Sequence, residues 1–220
     1  MPAWLESNID PAGQCEALRS YRNLLSWTRD QGIRVDAALA PMVVDDLQDG
    51  RLALQDALGI AGSVPGYAQT YLMAYRSAGA EFGFDPGSAY PAFYYAETRK
   101  YFGDAGQVSL GIGGQSPYDV LAPLVNDIRM LAGMGSKRIP IYSLETTVAQ
   151  FGADGLQLIV DAAGDPMRGD ELTTAAAATP MSEHVRDMSY RMDALAVDLT
   201  AAKARQLATT AQPNSWPLNC

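Results

Sequence analysis

A short β-rich segment, residues 138–145, constrains the fold more than any other part of this sequence. Its apolar run ends in Glu145, and sequence compatible with a helix follows at once and continues to Ala163. Parallel α/β proteins place their elements in this order: a strand, a turn that carries polar side chains, and then a helix. The segment therefore predicts one strand–helix unit with an acidic residue at the carboxyl end of its strand.

Three earlier parts of the chain repeat this order. Strands are predicted at residues 33–44, 69–77 and 107–112, and the helices that follow them at residues 47–58, 86–102 and 116–134. The strands begin roughly 30 to 40 residues apart, which is the length of one βα unit. Because the units show no sequence similarity to one another, the spacing indicates a shared architecture rather than a repeat family. The alternation predicts a parallel sheet with right-handed crossovers.

The length of 220 residues suits one domain with a full core, but a closed (β/α)8 barrel usually takes about 250 residues for eight units. We therefore predict parallel βα units in a TIM-barrel-like arrangement, either a partial or a half barrel, with an open doubly wound sheet as the alternative. Residues 1–163 form the core with four strands and begin with a helix at residues 11–31. Residues 164–220 form a loop, an amphipathic helix at residues 182–210 and an irregular tail.

Composition excludes several function classes. The net charge of −9 disfavours binding to nucleic acid, because like charges repel. No apolar run approaches the roughly 20 residues that span a bilayer, and the N-terminus lacks the pattern of a signal peptide, so we expect a cytoplasmic protein that does not bind membranes. The single histidine, His184, and the two distant cysteines make no metal cluster or histidine triad. We expect neither a metal nor a cofactor.

Polar residues follow every predicted strand, and they are the first candidates for a site. In a parallel sheet the carboxyl ends of all strands meet at one edge. Carboxylates at that edge can act as acid, base or nucleophile, provided that two of them face one cleft within about 10 Å. An exposed Glu145 at a helix start would instead favour an interaction domain. The candidates at this edge are Asp45, Asp46, Arg76, Gln115 and Glu145.

The run Ile139-Pro-Ile-Tyr-Ser-Leu-Glu145 resembles the late strand of (β/α)8-barrel glycoside hydrolases, which ends in a catalytic glutamate. The resemblance implies hydrolysis of a glycoside or a similar polar small substrate, with Glu145 as nucleophile or stabilising carboxylate. We assign Asp46 as acid or base from its position alone. The residues expected to bind and position the substrate are Asp45, Arg76, Gln115 and Tyr142.

Two other functions remain open at this point. The glycine-rich turn after the third strand could hold a phosphate-bearing ligand of a lyase or isomerase on Gly113, Gly114 and Ser116, because backbone amides of such turns bind anions. Alternatively, the chain is a non-catalytic partial domain that requires a partner, either as a homo-oligomer or with a missing half-domain. Its late methionine-containing helix would then dock on that partner.

Overall fold

The computed structural model describes residues 11–49, 55, 60, 62–81, 85–111 and 113–177. The chain divides into two compact units, one comprising Met1–Gln69 with Met188–Cys220 and the other Thr70–Asp187. The predicted helix at residues 182–210, the tail after it and most of the predicted helix at residues 47–58 lie outside the described residues. No helix in the described ranges is long and apolar enough to cross a membrane.

Unit 1 contains helix α1 (Pro11–Asp30), strand β1 (Asp36–Leu39) and helix α2 (Met42–Asp49). The prediction of α1 is confirmed, and its Leu18 and Leu25 pack with Val64 in an apolar cluster. Helical spacing also predicts Tyr21 and Leu24 on this buried face, but they are 45% and 51% exposed. The buried face of α1 is therefore narrower than the sequence pattern predicts.

The first predicted strand is much longer than the observed one. Strand β1 ends at Leu39, and α2 begins at Met42, directly after Pro41. Proline suits a helix start, because its fixed φ is close to the helical value. It also loses no hydrogen bond there, since the first amides of a helix have no partner within the helix. Asp45 and Asp46 therefore lie inside a helix, and the prediction that they follow a strand end is wrong.

Among the described residues, the sheet of unit 2 has its strands in the order β2-β3-β4, where β2 is Gln69–Met73, β3 is Gly106–Gly111 and β4 is Ile141–Tyr142. Strands β2 and β3 pair in parallel, with Leu72 opposite Val108, and β3 and β4 pair in parallel, with Gly111 opposite Tyr142. A doubly wound sheet reverses its strand order at a switch point. The described strands follow one another without such a reversal, so the α/β fold with parallel βα units is confirmed.

In the described part of unit 2, five α-helices accompany these strands: α3 (Arg76–Glu81), α4 (Ala89–Phe102), α5 (Leu121–Gly133), α6 (Leu144–Gly164) and α7 (Gly169–Ala177). Side chains alternate between the faces of a strand, and one face is fully buried through Leu72, Val108 and Leu110. Helix α4 packs closely here, because a Cβ at Gly106 would lie 2.4 Å from the carbonyl oxygen of Thr98. The opposite face of the sheet carries tyrosines and polar residues.

Two element boundaries in unit 2 differ from prediction and change the position of candidate residues. Helix α5 begins at Leu121 rather than at Ser116, because the preceding segment forms a turn that buries Tyr118. The predicted strand at residues 138–145 contracts to Ile141–Tyr142, and Ser143 is already the N-cap of α6. Glu145 thus belongs to a helix and not to a strand end.

Candidate functional site

The carboxyl ends of β2, β3 and β4 lie at one edge of the parallel sheet, where α/β proteins place their ligand sites. We call the residues at the ends of these strands the rim, which comprises Tyr75 and Arg76 at β2, residues 111 and 113–116 at β3, and residues 142–145 at β4. All of them belong to unit 2. The rim therefore brings together Arg76, Gln115, Tyr142 and Glu145 of the predicted site, and it does so within one compact unit.

Two tyrosines form the most exposed aromatic feature of the rim. The rings of Tyr75 and Tyr142 are stacked, with centroids 6.0 Å apart and an angle of 15° between their planes, within the range of favourable aromatic pairs. Tyr142 is 56% exposed, so most of its ring remains open to solvent. We call Tyr75 and Tyr142 the tyrosine pair; Tyr142 is where the sequence predicts a substrate-binding residue.

The Tyr75 ring lies against the end of the neighbouring strand β3. A Cβ placed on Gly111 would lie 2.9–3.2 Å from three atoms of this ring, which is closer than side chains normally approach. Burial raises the pKa of Tyr75, and the neighbouring Ser109 side chain opposes this rise. Ser109 in turn donates a hydrogen bond to the carbonyl oxygen of Pro140, at 3.2 Å.

Glu145 lies on the first turn of α6, and it is exposed. The start of this helix is closed by a capping box, in which the Thr146 amide donates to Oγ of Ser143 at 3.3 Å and the Thr146 hydroxyl accepts from the Ser143 amide at 3.4 Å. An acidic side chain in a first turn interacts favourably with the helix dipole. The predicted strand-end carboxylate is thus a helix-start carboxylate at the rim.

The predicted acid or base, Asp46, lies in unit 1 and is fully buried. Its Oδ2 accepts a hydrogen bond of 2.8 Å from the backbone amide of Gln55. A carboxylate that is sealed from solvent and bonded to the backbone stabilises local structure but cannot reach a substrate. The prediction of Asp46 as a catalytic residue is therefore wrong. Asp45 occupies the same helix, and its side chain is outside the described part of the structure.

Arg76 is also buried and fully engaged, contrary to the prediction that it positions a substrate. Its Nε donates to Asp85 at 2.8 Å, its Nη2 donates to the same carboxylate, and its Nη1 donates to Asp127 at 2.8 Å. Asp127 accepts two more hydrogen bonds, from the Tyr118 hydroxyl at 2.6 Å and from Oγ of Ser88. We call these five residues the arginine network.

Charge and burial act together on the pKa values of this network. Burial raises the pKa of Tyr118 well above its usual value, and the neighbouring Asp127 carboxylate adds to the rise. Burial also acts to raise the pKa of Asp85, but the hydrogen bonds from Arg76 and from the Gly87 amide outweigh it, so the pKa is lowered. The lowered pKa keeps Asp85 ionised at neutral pH, and the buried guanidinium of Arg76 pairs with Asp85 and with Asp127.

Sequence reasoning missed Asp127 and Tyr118, although one signal for Asp127 was present. Asp127 falls among Leu124, Ile128 and Leu131 on the predicted apolar face of α5, and all four residues are buried. A carboxylate is rarely buried without a partner. Its place on that face therefore predicts a buried cation, while the identity of that cation depends on the fold.

The glycine-rich turn has its amides committed to other partners. The Gly113 amide donates to the carbonyl oxygen of Tyr142 at 3.0 Å, and the Gly114 amide donates to that of Tyr118 at 2.9 Å. A Cβ on Gly113 would also lie 2.3 Å from Oγ1 of Thr147. The turn thus packs against α6 and does not present these two amides to a phosphate.

The remaining residues of that turn lie in the open. Gln115 and Ser116 are exposed, and Ser116 does not act as the predicted N-cap, because Val120 precedes the first residue of α5. Gln115 keeps the solvent access that a substrate-binding residue needs. Ser116 shares this access, but the two neighbouring glycine amides that would have completed a phosphate site are used elsewhere.

Comparison with models of protein families, with curated proteins and with solved structures finds no match. Within the described ranges, the acidic residues, histidine and cysteine form no group of three or more that could hold a metal ion. The function is therefore argued from the rim alone.

Proposed function

We propose that unit 2 binds a glycoside or a similar polar small molecule at the rim, against the exposed ring of Tyr142. A stacked, half-exposed tyrosine offers an apolar face and a hydroxyl group together, and these suit a sugar ring with its apolar C–H face and its polar edge. The tyrosine pair is the observation that carries this proposal. Gln115 and Glu145 supply exposed polar groups on the same rim.

The consecutive order of the strands also supports a finer proposal for the fold. Consecutive parallel βα units are how a (β/α)8 barrel is wound, and such barrels bind their substrates at the carboxyl ends of the strands. We propose that the sheet is an arc of this kind. The rim then corresponds to the substrate-binding face of the barrel.

The geometry supports binding of such a ligand more directly than its hydrolysis. Glycoside hydrolysis generally uses two carboxyl groups, about 5 Å apart in retaining enzymes and 6.5–9.5 Å apart in inverting enzymes. Glu145 is exposed and would act as the nucleophile or stabilising carboxylate, but Asp46 is buried against the backbone of unit 1. The proposal therefore assigns ligand binding to the rim and assigns no catalytic acid.

Titration of the full chain with a panel of neutral oligosaccharides, followed by saturation-transfer NMR and calorimetry, tests this function. We expect Tyr142→Ala to weaken binding roughly tenfold, as the loss of an aromatic contact of about 1.4 kcal/mol does. Tyr21→Ala is the matched control, because Tyr21 is a 45% exposed tyrosine in unit 1. Equal affinities of wild type and Tyr142→Ala, or no binding by any saccharide, would refute the proposal.

A second candidate function is association with another polypeptide, which a groove in unit 2 favours. The groove has a volume of about 270 Å³ and is lined by Ile139, Ile141 and Val160 beside β4, the last strand of the described sheet. Val160 is 60% exposed, and exposed apolar surfaces are common sites of contact with other chains. Sedimentation velocity of Val160→Lys, with the exposed Leu24→Lys as control, tests this candidate: only the former would abolish association.

A further inference from the structure

We infer that Gly111 and Tyr75 are positioning residues that hold Tyr142 in its ligand-binding pose; this inference rests on the proposed function. Neither residue follows from the sequence pattern of a sugar site. Tyr142 is the residue that touches the ligand, whereas Gly111 and Tyr75 act through it.

The backbone of β3 supplies the first part of this arrangement. Gly111 is opposite Tyr142 in the register of β3 and β4, and the Tyr75 ring occupies the space that a side chain on Gly111 would take. The ring atoms Cε1, Cδ1 and Cζ would lie 2.9, 3.0 and 3.2 Å from a new Cβ. Any residue larger than glycine must therefore push the Tyr75 ring away from β3.

A backbone hydrogen bond restricts Tyr75 from the other side. The chain turns tightly after β2, where the Tyr75 amide donates to the carbonyl oxygen of Met73 at 2.9 Å. Because this turn fixes the base of the side chain, the ring cannot retreat from an added Cβ without changing its contact with Tyr142.

The stack then transmits the position of Tyr75 to Tyr142. The two rings are nearly parallel, at 15°, so one side of the Tyr142 ring rests on Tyr75 while the ring stays 56% exposed. A ring supported on one side loses less conformational freedom when a ligand stacks on the other. Preorganisation by Tyr75 and Gly111 is thus the source of part of the affinity for the ligand.

The experiment is a double-mutant cycle on the full chain, with binding of the best oligosaccharide as readout. We expect Gly111→Ala and Tyr75→Leu each to weaken binding roughly fivefold, and Tyr75→Phe, which keeps the ring, to stay within about twofold of wild type. In the Tyr142→Ala background, Gly111→Ala should change the affinity less than about 1.5-fold. Wild-type affinity of both Gly111→Ala and Tyr75→Leu, together with weakened binding by Tyr142→Ala, overturns the inference and leaves the proposed function standing.

A readout without ligand tests the positioning of Tyr142 separately from the proposed function. It is used if no saccharide binds or if Tyr142→Ala binds like wild type. The near-UV circular dichroism of Tyr142 is obtained as the difference between wild type and Tyr142→Ala. We expect this signal to disappear in Gly111→Ala and Tyr75→Leu and to persist in Tyr75→Phe. A signal that persists in all three overturns the inference. Urea unfolding checks that each variant is folded, and Tyr75→Leu decides the test if Gly111→Ala does not fold.

Discussion

The arginine network and the tyrosine pair both follow strands of one parallel sheet, yet they use their side chains in opposite ways. In the network every hydrogen bond donated by the Arg76 guanidinium that the structure describes goes to Asp85 or Asp127, and Asp127 is fully buried. In the pair, Tyr142 leaves more than half of its surface open. A residue at a strand end is therefore a candidate for binding only when its interacting surface is still available.

The two regions also connect different elements of unit 2. The network joins residues that are 51 positions apart in the chain, Arg76 and Asp127, and so fixes α3 against α5. The pair spans β2 to β4 across Gly111. The network therefore supports this edge of unit 2, and we propose that the pair is its contact surface.

The largest expected effect tests the structural side of this comparison. We expect Asp127→Ala to lower the free energy of unfolding by about 3–5 kcal/mol, because it removes a buried partner of a buried guanidinium. Asp165→Ala is the control, since this partner of Arg129 is 76% exposed and exposed ion pairs contribute about 1 kcal/mol or less. Urea denaturation measures the free energy of unfolding of both variants. Equal losses would contradict the contrast between the buried and the exposed ion pair.

Removal of the Tyr118 hydroxyl group is expected to lower the free energy of unfolding by a smaller amount. Tyr118→Phe removes one hydrogen bond to Asp127, the ion-pair partner of Arg76, and a hydrogen bond to a group in an ion pair contributes about 1.5–3 kcal/mol. Tyr21→Phe changes an exposed tyrosine in the same way and should alter the free energy of unfolding by about 0.5 kcal/mol or less. A Tyr118→Phe protein as stable as wild type would show that the hydroxyl is dispensable to the network.

The network also predicts how stability depends on pH. The pKa of Asp85 is lowered in the folded protein, where the hydrogen bond from Arg76 outweighs the effect of burial. As pH falls, the unfolded chain therefore takes up this proton first, so the stabilisation is complete above the unfolded pKa and is lost as pH falls through the folded pKa. Urea unfolding between neutral pH and about pH 3 should show a steeper loss in wild type than in Asp85→Asn. Parallel curves would argue against this role.

The smallest effect on stability is expected at Glu145, and it sharpens the distinction between binding and hydrolysis. Glu145→Gln removes a charge from the first turn of α6 and should cost about 0.3–1 kcal/mol of unfolding free energy. Affinity for a neutral oligosaccharide should stay within about twofold, since stacking on Tyr142 is retained. Cleavage of chromogenic glycosides by wild type that disappears in Glu145→Gln would contradict a rim that only binds.

Much of the fold was predictable because apolar periodicity and turn residues act locally. The order of strands and helices follows from runs such as Leu124 to Leu131 on α5 and from the segment before α6. The predicted ends of two strands were wrong because a helix begins earlier than predicted. Helix α2 begins directly after Pro41, inside the first predicted strand, and Ser143 caps α6 inside the last one.

The site was less predictable because its partners meet only in three dimensions. Tyr142 was named only as a residue expected to position the substrate, and the structure shows that its side chain is 56% exposed. Arg76 is occupied because Asp85 and Asp127 lie within hydrogen-bond distance of its guanidinium group. The spacing of these residues in the sequence does not reveal this. The burial of Asp46 could not be predicted for the same reason, since it follows from how α2 packs.

Helix α6 is interrupted at Gly152, where the backbone leaves the helical region with a φ of +65° and a ψ of −169°. This conformation favours glycine, and it separates a first segment that carries Glu145 from a second whose Ile159 and Ala162 are buried. The direction in which the first segment leaves the second, and with it the place of Glu145, therefore depends on the backbone conformation of a single glycine.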